Sequence, residues 1–214
     1  MKRIALIIGI LCLAAFFIVG VINFWVGGFS GLDDRAFYVT SAIESSTMTV
    51  FMRNITRFGS RSFIGIFCLL VLLVPKVRLK DKVPILFAVP GAAVSSFCLK
   101  YIFAIDRPDI DGIVEATGYS FPSNHTTASM ALYVILLLLV LERAEKPLFK
   151  ITAVLLATVP ILVGISRVYL GAHFLGDVLA GWFLGAGVAL TAYVVARSRW
   201  LNKFLSRIFP KAMI

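Results

Sequence analysis

Six long apolar segments, separated by shorter polar ones, run along the chain. They cover residues 4–26, 58–74, 83–103, 126–141, 151–168 and 175–196. Each approaches the ~20 residues that a helix needs to cross the hydrocarbon core of a bilayer, although the fourth is short unless it extends at both ends. The pattern predicts an all-α, polytopic membrane protein with six transmembrane helices.

The composition agrees with this prediction. Of the 214 residues, 60% are hydrophobic and the mean hydropathy is +0.96, whereas soluble domains contain about 45–50% apolar residues. No linker, internal repeat or low-complexity segment interrupts the pattern, so we expect residues 1–214 to form a single domain. Cys12, Cys68 and Cys98 lie singly within apolar runs, which indicates buried thiols and neither a zinc site nor a disulfide framework.

The positions of the basic residues predict the orientation of the chain in the membrane. The formal net charge is +10, and 14 of the 21 Lys and Arg residues lie in segments 2–3, 76–82, 143–150 and 197–211. If six helices cross the membrane in alternating directions, these segments lie on the same side of it. The positive-inside rule predicts that this side is cytoplasmic, so both termini are expected in the cytoplasm. Topology therefore explains the charge, and nucleic acid is not needed as a partner.

The two ends of the chain fit the same orientation. Lys2 and Arg3 precede the first apolar run as in a secretory signal, but a signal core has about 7–15 residues, whereas this run continues to Trp25. We interpret it as a retained helix. The basic tail 197–211 carries interleaved aromatic residues, and we interpret it as an anchor on anionic lipids of the cytoplasmic surface.

Between the first two spans lies a polar stretch, residues 31–57, on the predicted outer side. Apolar residues recur at helical spacing near its end, at Met48, Phe51, Met52, Ile55 and Phe58. This spacing predicts an outer-face amphipathic helix between the first two transmembrane helices. A packing helix is the preferred interpretation, and a gate over a lipid access route is the alternative.

Polar residues also collect around the end of the third span and the start of the fourth. Lys100 lies about two helical turns before Arg107, close to the same face, and Pro108 is expected to end that helix. Ser123 and Asn124 are expected to open the fourth helix, whose N–H groups form a ready anion site. His125 follows them at the mouth of this turn. A single Lys or Arg near a helix end is usually an anchor whose charged group reaches the membrane surface. A single His at such a place usually makes only a hydrogen bond.

Arg167, His173 and Asp177 lie in another very apolar region. A charge at membrane depth costs roughly 2.5–3.5 kcal/mol, so such residues usually have a function. If a helix begins at His173, Asp177 shares its face and can orient the imidazole. Six alternating helices also bring the polar residues of all three regions to the same outer layer.

This set of groups suits a phosphoryl group better than a carbonyl or a sugar. Arg pairs phosphate oxygens bidentately, and Lys neutralises them as a point charge. A phosphoryl transition state spreads its charge over three oxygens, so its catalysis is mostly positioning and electrostatic stabilisation. One His, oriented by Asp177, can attack phosphorus, and the other can protonate the leaving oxygen.

Three motifs in this part of the chain resemble the signature of the type 2 phosphatidic acid phosphatase (PAP2) superfamily. Six residues separate Lys100 from Arg107-Pro108, and Pro122-Ser123-Asn124-His125 comes next. Five residues then separate Ser166-Arg167 from His173, and three separate His173 from Asp177. The resemblance implies a phosphatase that needs no metal and no cofactor. It implies that His173 forms a phosphohistidine, that Asp177 holds its other nitrogen, and that His125 is the acid and then the base.

The resemblance also assigns the residues that bind phosphate, which are Lys100, Arg107, Ser123, Asn124 and Arg167. The family commonly has Gly at the position of Asn124. Asn tolerates left-handed backbone better than most residues, so we expect the loop to be kept. In the last span, Gly181 and Gly185 have a spacing that allows close helix contact, within the bundle by preference or between two copies in a homo-oligomer.

Together these expectations describe a lipid phosphatase of the cell membrane with its active site on the outer face. The substrate expected from the resemblance is phosphatidylglycerophosphate, phosphatidic acid, undecaprenyl diphosphate or a lipid A phosphate. Three alternatives share parts of this description: a phosphotransferase between lipids, a lipid transporter on the same scaffold, and a metalloenzyme in which His125, His173 and Asp177 are ligands.

Overall fold

The structure, a computed structural model, describes residues 1–25, 30–75, 77–108, 113–114, 116–143 and 147–209. Within these ranges it contains nine α-helices and no strand. The helices are α1 (Lys2–Trp25), α2 (Ser30–Ala42), α3 (Ser46–Arg57), α4 (Arg61–Leu73), α5 (Leu79–Phe103), α6 (Asn124–Leu141), α7 (Pro147–Tyr169), α8 (Leu175–Ala196) and α9 (Arg199–Ile208). The all-α prediction is confirmed. Lys76, Lys146 and Lys211, which support the predicted orientation, lie outside the described residues.

The described helices offer five or six spans, against six in the apolar pattern. Among the described residues, α1, α5, α6, α7 and α8 are long and apolar enough to cross a membrane, and α3 with α4 makes a sixth span if the bent pair is counted as one. The chain bends by 42° between α3 and α4. A new helix begins after Ser60, whose side chain accepts a hydrogen bond from the Phe63 N–H. α3 covers the stretch of the expected amphipathic helix, and its place on the outer face stays a prediction.

The end of α5 differs from the prediction. Its last helical residue is Phe103, and Ala104 takes a left-handed conformation with φ 47° while its N–H donates to the Lys100 carbonyl at 2.9 Å. Such a cap ends a helix. The expectation that the helix continues to Pro108 is therefore wrong, and Arg107 lies on irregular backbone beyond the helix that carries Lys100.

Helix α8 lies at the centre of the bundle and packs against α1, α5, α6 and α7. Small residues allow these close contacts. A Cβ on Gly185 would clash with the Thr127 carbonyl oxygen of α6, and a Cβ on Gly181 would lie 2.8 Å from the Cβ of Thr126. The structure therefore uses the two glycines within the bundle, as preferred from the sequence.

Polar side chains collect at the two ends of the bundle. At one end the N-termini of α1 and α5 meet the C-termini of α6 and α8, and Asp81 bonds both Arg143 and Arg197. Arg197 also bonds Glu142 at 2.7 Å, and this hydrogen bond lowers the pKa of Glu142. The opposite end joins the C-termini of α5 and α7 to the N-termini of α6 and α8, and the three polar motifs lie there.

Candidate active site

The turn between α7 and α8 places His173. Gly171 has φ +71°, a left-handed conformation that glycine adopts without the clash of a Cβ. Phe174 then occupies the N-cap position of α8, and Asp177 in the first turn accepts a hydrogen bond from the Phe174 N–H at 3.0 Å. The helix begins at Leu175, so His173 precedes it and does not share a helical face with Asp177.

The expected pairing of His173 with Asp177 nevertheless forms. Nδ1 of His173 lies 3.1 Å from Oδ2 of Asp177, and both side chains are almost fully buried. The contact depends on the turn, which folds the imidazole back over the first turn of α8. The sequence spacing is right, and the helical geometry inferred from it is wrong.

A third residue, Arg107, favours one of the two neutral tautomers of His173. Nη1 of Arg107 lies 3.3 Å from Nε2 of His173, and a guanidinium can only donate. Nε2 therefore accepts, and the ring proton is on Nδ1, where it is donated to Asp177. Burial lowers the pKa of His173 to about 4, although the hydrogen bond to Asp177 opposes this shift. The imidazole is thus neutral at physiological pH and presents an unprotonated Nε2 beside a cation.

Arg107 also ties the site together. Its Nε donates to the Gly118 carbonyl at 2.8 Å and its Nη1 to the Ala172 carbonyl at 2.6 Å. The first bond reaches the loop before α6, and the second reaches the turn before α8. Burial lowers the pKa of Arg107 from its ordinary value, which is high enough for the charge to be retained. The side chain therefore holds two loops around the imidazole of His173.

Lys100 reaches the same loop from the last turn of α5. Its Nζ donates to the Tyr119 carbonyl at 2.6 Å and to the Ser120 carbonyl at 2.8 Å. Only 8% of Lys100 is exposed, so these carbonyls replace most of its hydration. The two predicted cations are brought together by a shared loop, although they do not share a helix.

The N-terminus of α6 has the predicted form. Ser123 is the N-cap residue, and its N–H donates to the Asp177 carbonyl at 3.2 Å, which joins this helix to α8. Asn124 is the first helical residue, and its Oδ1 accepts a hydrogen bond from Ser96 of α5 at 2.5 Å. The left-handed backbone considered for Asn124 is not adopted, since Ala104 is the one non-glycine residue with positive φ in the described chain.

Arg167 and His125 lie beside this group without bonding to it. Arg167 is 7% exposed, and its Nη1 donates to the Thr56 hydroxyl at 3.1 Å. Its Nε is buried and has no partner among the described residues. A buried, unpaired N–H is costly, so this donor suits an oxygen of a bound ligand. His125 stands in the first turn of α6, where Gly59 allows the α3–α4 turn to approach its backbone.

A metal site would require several ligating side chains to lie close together. Across the residues that the structure describes, no group of three or more His, Cys, Asp and Glu side chains is arranged to hold a metal ion. The ligand set considered from the sequence, His125, His173 and Asp177, is not such a group.

Two residues of this site were not predicted. The hydroxyl of Ser120 donates to Asp177 and lies 3.2 Å from Nδ1 of His173. Asp33 of α2 is buried and accepts a hydrogen bond from the Leu175 N–H at 2.8 Å, and so caps the start of α8. Ser120 stands two residues before the Pro122-Ser123-Asn124-His125 motif and outside all three motifs. No sequence signal joins Asp33 to a residue 142 positions away.

The fold and this site define a polytopic membrane protein with a buried His–Asp pair and a cluster of cations at one end of its bundle. The model of the PAP2 superfamily matches residues 81–201, more than half of the chain and a range that contains all three motifs. The chain therefore belongs to the PAP2 superfamily.

Relatives of the chain include membrane lipid phosphatases. Phosphatidylglycerophosphatase B of Bacillus subtilis is 42% identical over 85 residues, which cover 37% of this chain and 40% of that protein. The match thus spans less than half of that relative. The undecaprenyl-diphosphatase of Sulfolobus acidocaldarius is 27% identical over 179 residues, which cover 81% and 82% of the two chains.

A solved structure has the same fold. The transmembrane PAP2 type phosphatidylglycerolphosphate phosphatase from Bacillus subtilis superposes with a TM-score of 0.78 at 23% sequence identity. The match covers 90% of this chain and 98% of that one. The similarity therefore extends to the N-terminal helices, which the family model does not reach.

Proposed function

We propose that this chain, as a single domain of residues 1–214, is an integral membrane lipid phosphatase. It hydrolyses a phosphomonoester or diphosphate of a lipid through a phosphohistidine on His173. One observation carries the proposal: Nδ1 of His173 lies 3.1 Å from Asp177, while Arg107 lies 3.3 Å from Nε2 and favours that nitrogen as an acceptor. A neutral, oriented nitrogen beside a fixed cation is the arrangement that an attack on phosphorus requires.

In the first step, Nε2 of His173 forms a bond to phosphorus while the bond from phosphorus to the lipid oxygen breaks. His125 gives its proton to that oxygen, and Asp177 stabilises the positive charge that develops on the phosphorylated ring. In the second step, a water molecule loses a proton to His125 and attacks phosphorus. The N–P bond then breaks, inorganic phosphate leaves, and the electron pair returns to Nε2.

The phosphate-binding role belongs to Lys100, Arg107, Ser123, Asn124 and Arg167. The Nε of Arg167, which has no hydrogen-bond partner in the part of the chain that the structure describes, supports it most directly. Lys100 donates to two backbone carbonyls and keeps a third N–H for a phosphate oxygen. Arg107 already has partners for all of its N–H groups, so it must exchange some of these contacts for phosphate oxygens. The first amides of α6 add a partial positive charge on the same side.

The substrate is proposed to be a lipid because the site lies at the ends of membrane-spanning helices. A headgroup can enter the polar end of the bundle while its acyl or prenyl chain stays in the bilayer. The names of the relatives support phosphatidylglycerophosphate and undecaprenyl diphosphate, and phosphatidic acid is the third candidate. The positive-inside rule supports a site on the outer face of the cell membrane, with both termini cytoplasmic.

The test is a phosphate-release assay on these three lipids, in detergent and with a chelator present. We expect release by the wild type and none by His173→Ala, with both proteins showing the same thermal unfolding. We also expect labelled phosphate, trapped under alkaline quench, on the wild type and not on the variant. If no lipid is turned over, the proposed activity is rejected.

Three further measurements separate the alternatives. Label found in an acceptor lipid instead of free phosphate would identify a phosphotransferase. Activity that disappears with chelator would identify a metalloenzyme. Lipid movement that survives His173→Ala would identify a transporter.

A further inference from the structure

Ser120 lies in the loop before α6, and its backbone fixes it against the end of α5. Its N–H donates to the Ile105 carbonyl at 2.7 Å, and its carbonyl accepts a hydrogen bond from Lys100. The side chain is fully buried. Because the backbone makes these contacts, they persist when the hydroxyl is removed, and the role of the hydroxyl can be separated from that of the loop.

The Ser120 hydroxyl joins a set of donors on one carboxylate oxygen. Oδ2 of Asp177 accepts from the Ser120 hydroxyl, from Nδ1 of His173 at 3.1 Å and from the Phe174 N–H at 3.0 Å. Oδ1 of the same carboxylate is buried and has no partner among the described residues. The carboxylate is therefore held with one particular oxygen toward the imidazole.

Without the hydroxyl, this orientation loses one of its three supports. The terminal torsion of a carboxylate is soft, so the remaining bonds to His173 and Phe174 define it less well. A rotated Asp177 would accept the Nδ1 proton in poorer geometry. The imidazole would then populate the tautomer with its proton on Nε2, which cannot attack phosphorus.

We propose that Ser120 is a positioning residue for the His–Asp pair: its hydroxyl fixes the Asp177 carboxylate and so keeps the His173 proton on Nδ1. This inference rests on the proposed function for its kinetic consequence. Its structural consequence is independent of any substrate. Ser120 acts through Asp177, and it does not touch the transferred phosphate.

The chain offers a direct spectroscopic test because it contains two histidines. With ¹⁵N-labelled imidazoles in detergent, His173→Ala assigns the two sets of nitrogen resonances. In the wild type we expect Nδ1 of His173 in the protonated form and Nε2 in the unprotonated form at neutral pH. In Ser120→Ala we expect the two His173 shifts to move toward each other as tautomers mix, with His125 unchanged.

Ser129→Ala is the matched control. Ser129 is also a fully buried serine, and its hydroxyl donates to the Thr126 carbonyl within its own helix. It should leave both histidines unchanged. Unaltered His173 shifts in Ser120→Ala would overturn the proposal, and so would equal shifts in the two serine variants.

The kinetic test uses phosphate release by the same proteins. We expect kcat of Ser120→Ala to fall by about tenfold, the effect of one hydrogen bond to a charged group, with KM nearly unchanged. In an Asp177→Asn background the same change should cause no further loss, since the two residues act as one unit. A wild-type kcat, or fully additive losses, would refute the role of Ser120.

The two tests fail separately. If the wild type releases no phosphate from any lipid, the proposed function fails, and the resonances still decide whether Ser120 holds the tautomer. If the wild type is active while Ser120→Ala matches it in rate and in spectrum, the inference on Ser120 fails alone.

Discussion

At the scale of single residues, Arg107 connects more parts of the site than any motif suggests. It bonds the loop before α6, the turn before α8 and the imidazole of His173. The first bond leaves from Nε and the other two leave from Nη1 of one planar group. A Lys at this position would keep the charge but would present a single nitrogen.

We therefore expect Arg107→Lys to lower kcat/KM by on the order of 10- to 100-fold, which corresponds to one or more charged hydrogen bonds of about 1.5–3 kcal/mol. The His173 resonances should shift as well, because Nε2 loses its donor. Arg78→Lys is the control, since Arg78 lies at the opposite end of the bundle. A wild-type kcat/KM in Arg107→Lys would show that the several nitrogens of the planar guanidinium are not required.

At the scale of elements, α8 organises the site because its N-terminus carries Asp177 and its faces contact most of the bundle. Asp33 holds this N-terminus from α2. Burial raises the pKa of Asp33, although hydrogen bonds from the N–H groups of α8 oppose the shift. A carboxyl whose pKa is raised on folding contributes stability that is present at low pH and is lost as the pH rises through the folded pKa.

Asp33→Asn is consequently expected to be at least as stable as the wild type at pH 7, because Asn keeps an acceptor for the Leu175 N–H and carries no charge. Asp33→Ala removes the acceptor and should lower the free energy of unfolding by about 0.5–2 kcal/mol, as for other N-cap losses. Thermal unfolding in detergent measures both. Asp34→Ala, at the exposed neighbouring position, serves as control, and equal stability of Asp33→Ala and wild type would exclude a capping role.

The packing of α8 on α6 allows a second element-scale prediction. Gly185→Ala places a Cβ against the backbone of Thr127 and the Cβ of Met130, so the two helices must separate. We expect the free energy of unfolding to fall by about 1–3 kcal/mol, as for other overpacked cores. Because Ser123 and Asp177 stand on these two helices, phosphate release should also fall.

Gly65→Ala is the matched control for this change. Gly65 lies within α4, and an added Cβ meets no atom within 4 Å. Ala is a better helix former, so this variant should be more stable by about 0.5–1 kcal/mol. A Gly185→Ala protein that gained stability to the same extent would contradict the close approach of α6 and α8.

At the scale of the whole molecule, the two polar ends of the helix bundle have different roles. The end with the His–Asp pair carries the proposed chemistry. The other end is an ion-pair cluster in which Asp81, 6% exposed, bonds Arg78, Arg143 and Arg197. This cluster ties α5, α6 and α8 together across the bundle from the site.

Asp81→Asn should therefore destabilise the protein without changing its chemistry. The lost charge leaves three Arg side chains with weaker partners, and we expect a fall of about 1–3 kcal/mol in the free energy of unfolding. The kcat of the folded enzyme should stay at its wild-type value. Glu44→Gln, at an exposed position, should change neither quantity. A reduced kcat at a temperature well below unfolding would show that the two ends are coupled.

The sequence by itself determined the class of fold and the residues of the three motifs. It predicted six spans, where the described helices offer five, or six if α3 and α4 together form one. Runs of apolar residues near the length of a bilayer core can form little else than membrane helices. Charged groups in such runs are costly enough to be noticed without a structure. The N-terminus of α6 was also predictable, because Ser is a common N-cap residue, although the Ser123 side chain makes no capping hydrogen bond here.

Only the tertiary structure decided how these residues meet. The left-handed cap at Ala104 ended α5 early, and the turn before Leu175 took His173 out of α8. Both backbone conformations depend on how the helices pack. The contacts of Ser120 and Asp33 join segments that are far apart in sequence, and no local pattern encodes such pairs. The motifs identified the residues of the site. The packing of α5, α6 and α8 placed one imidazole nitrogen of His173 next to Arg107.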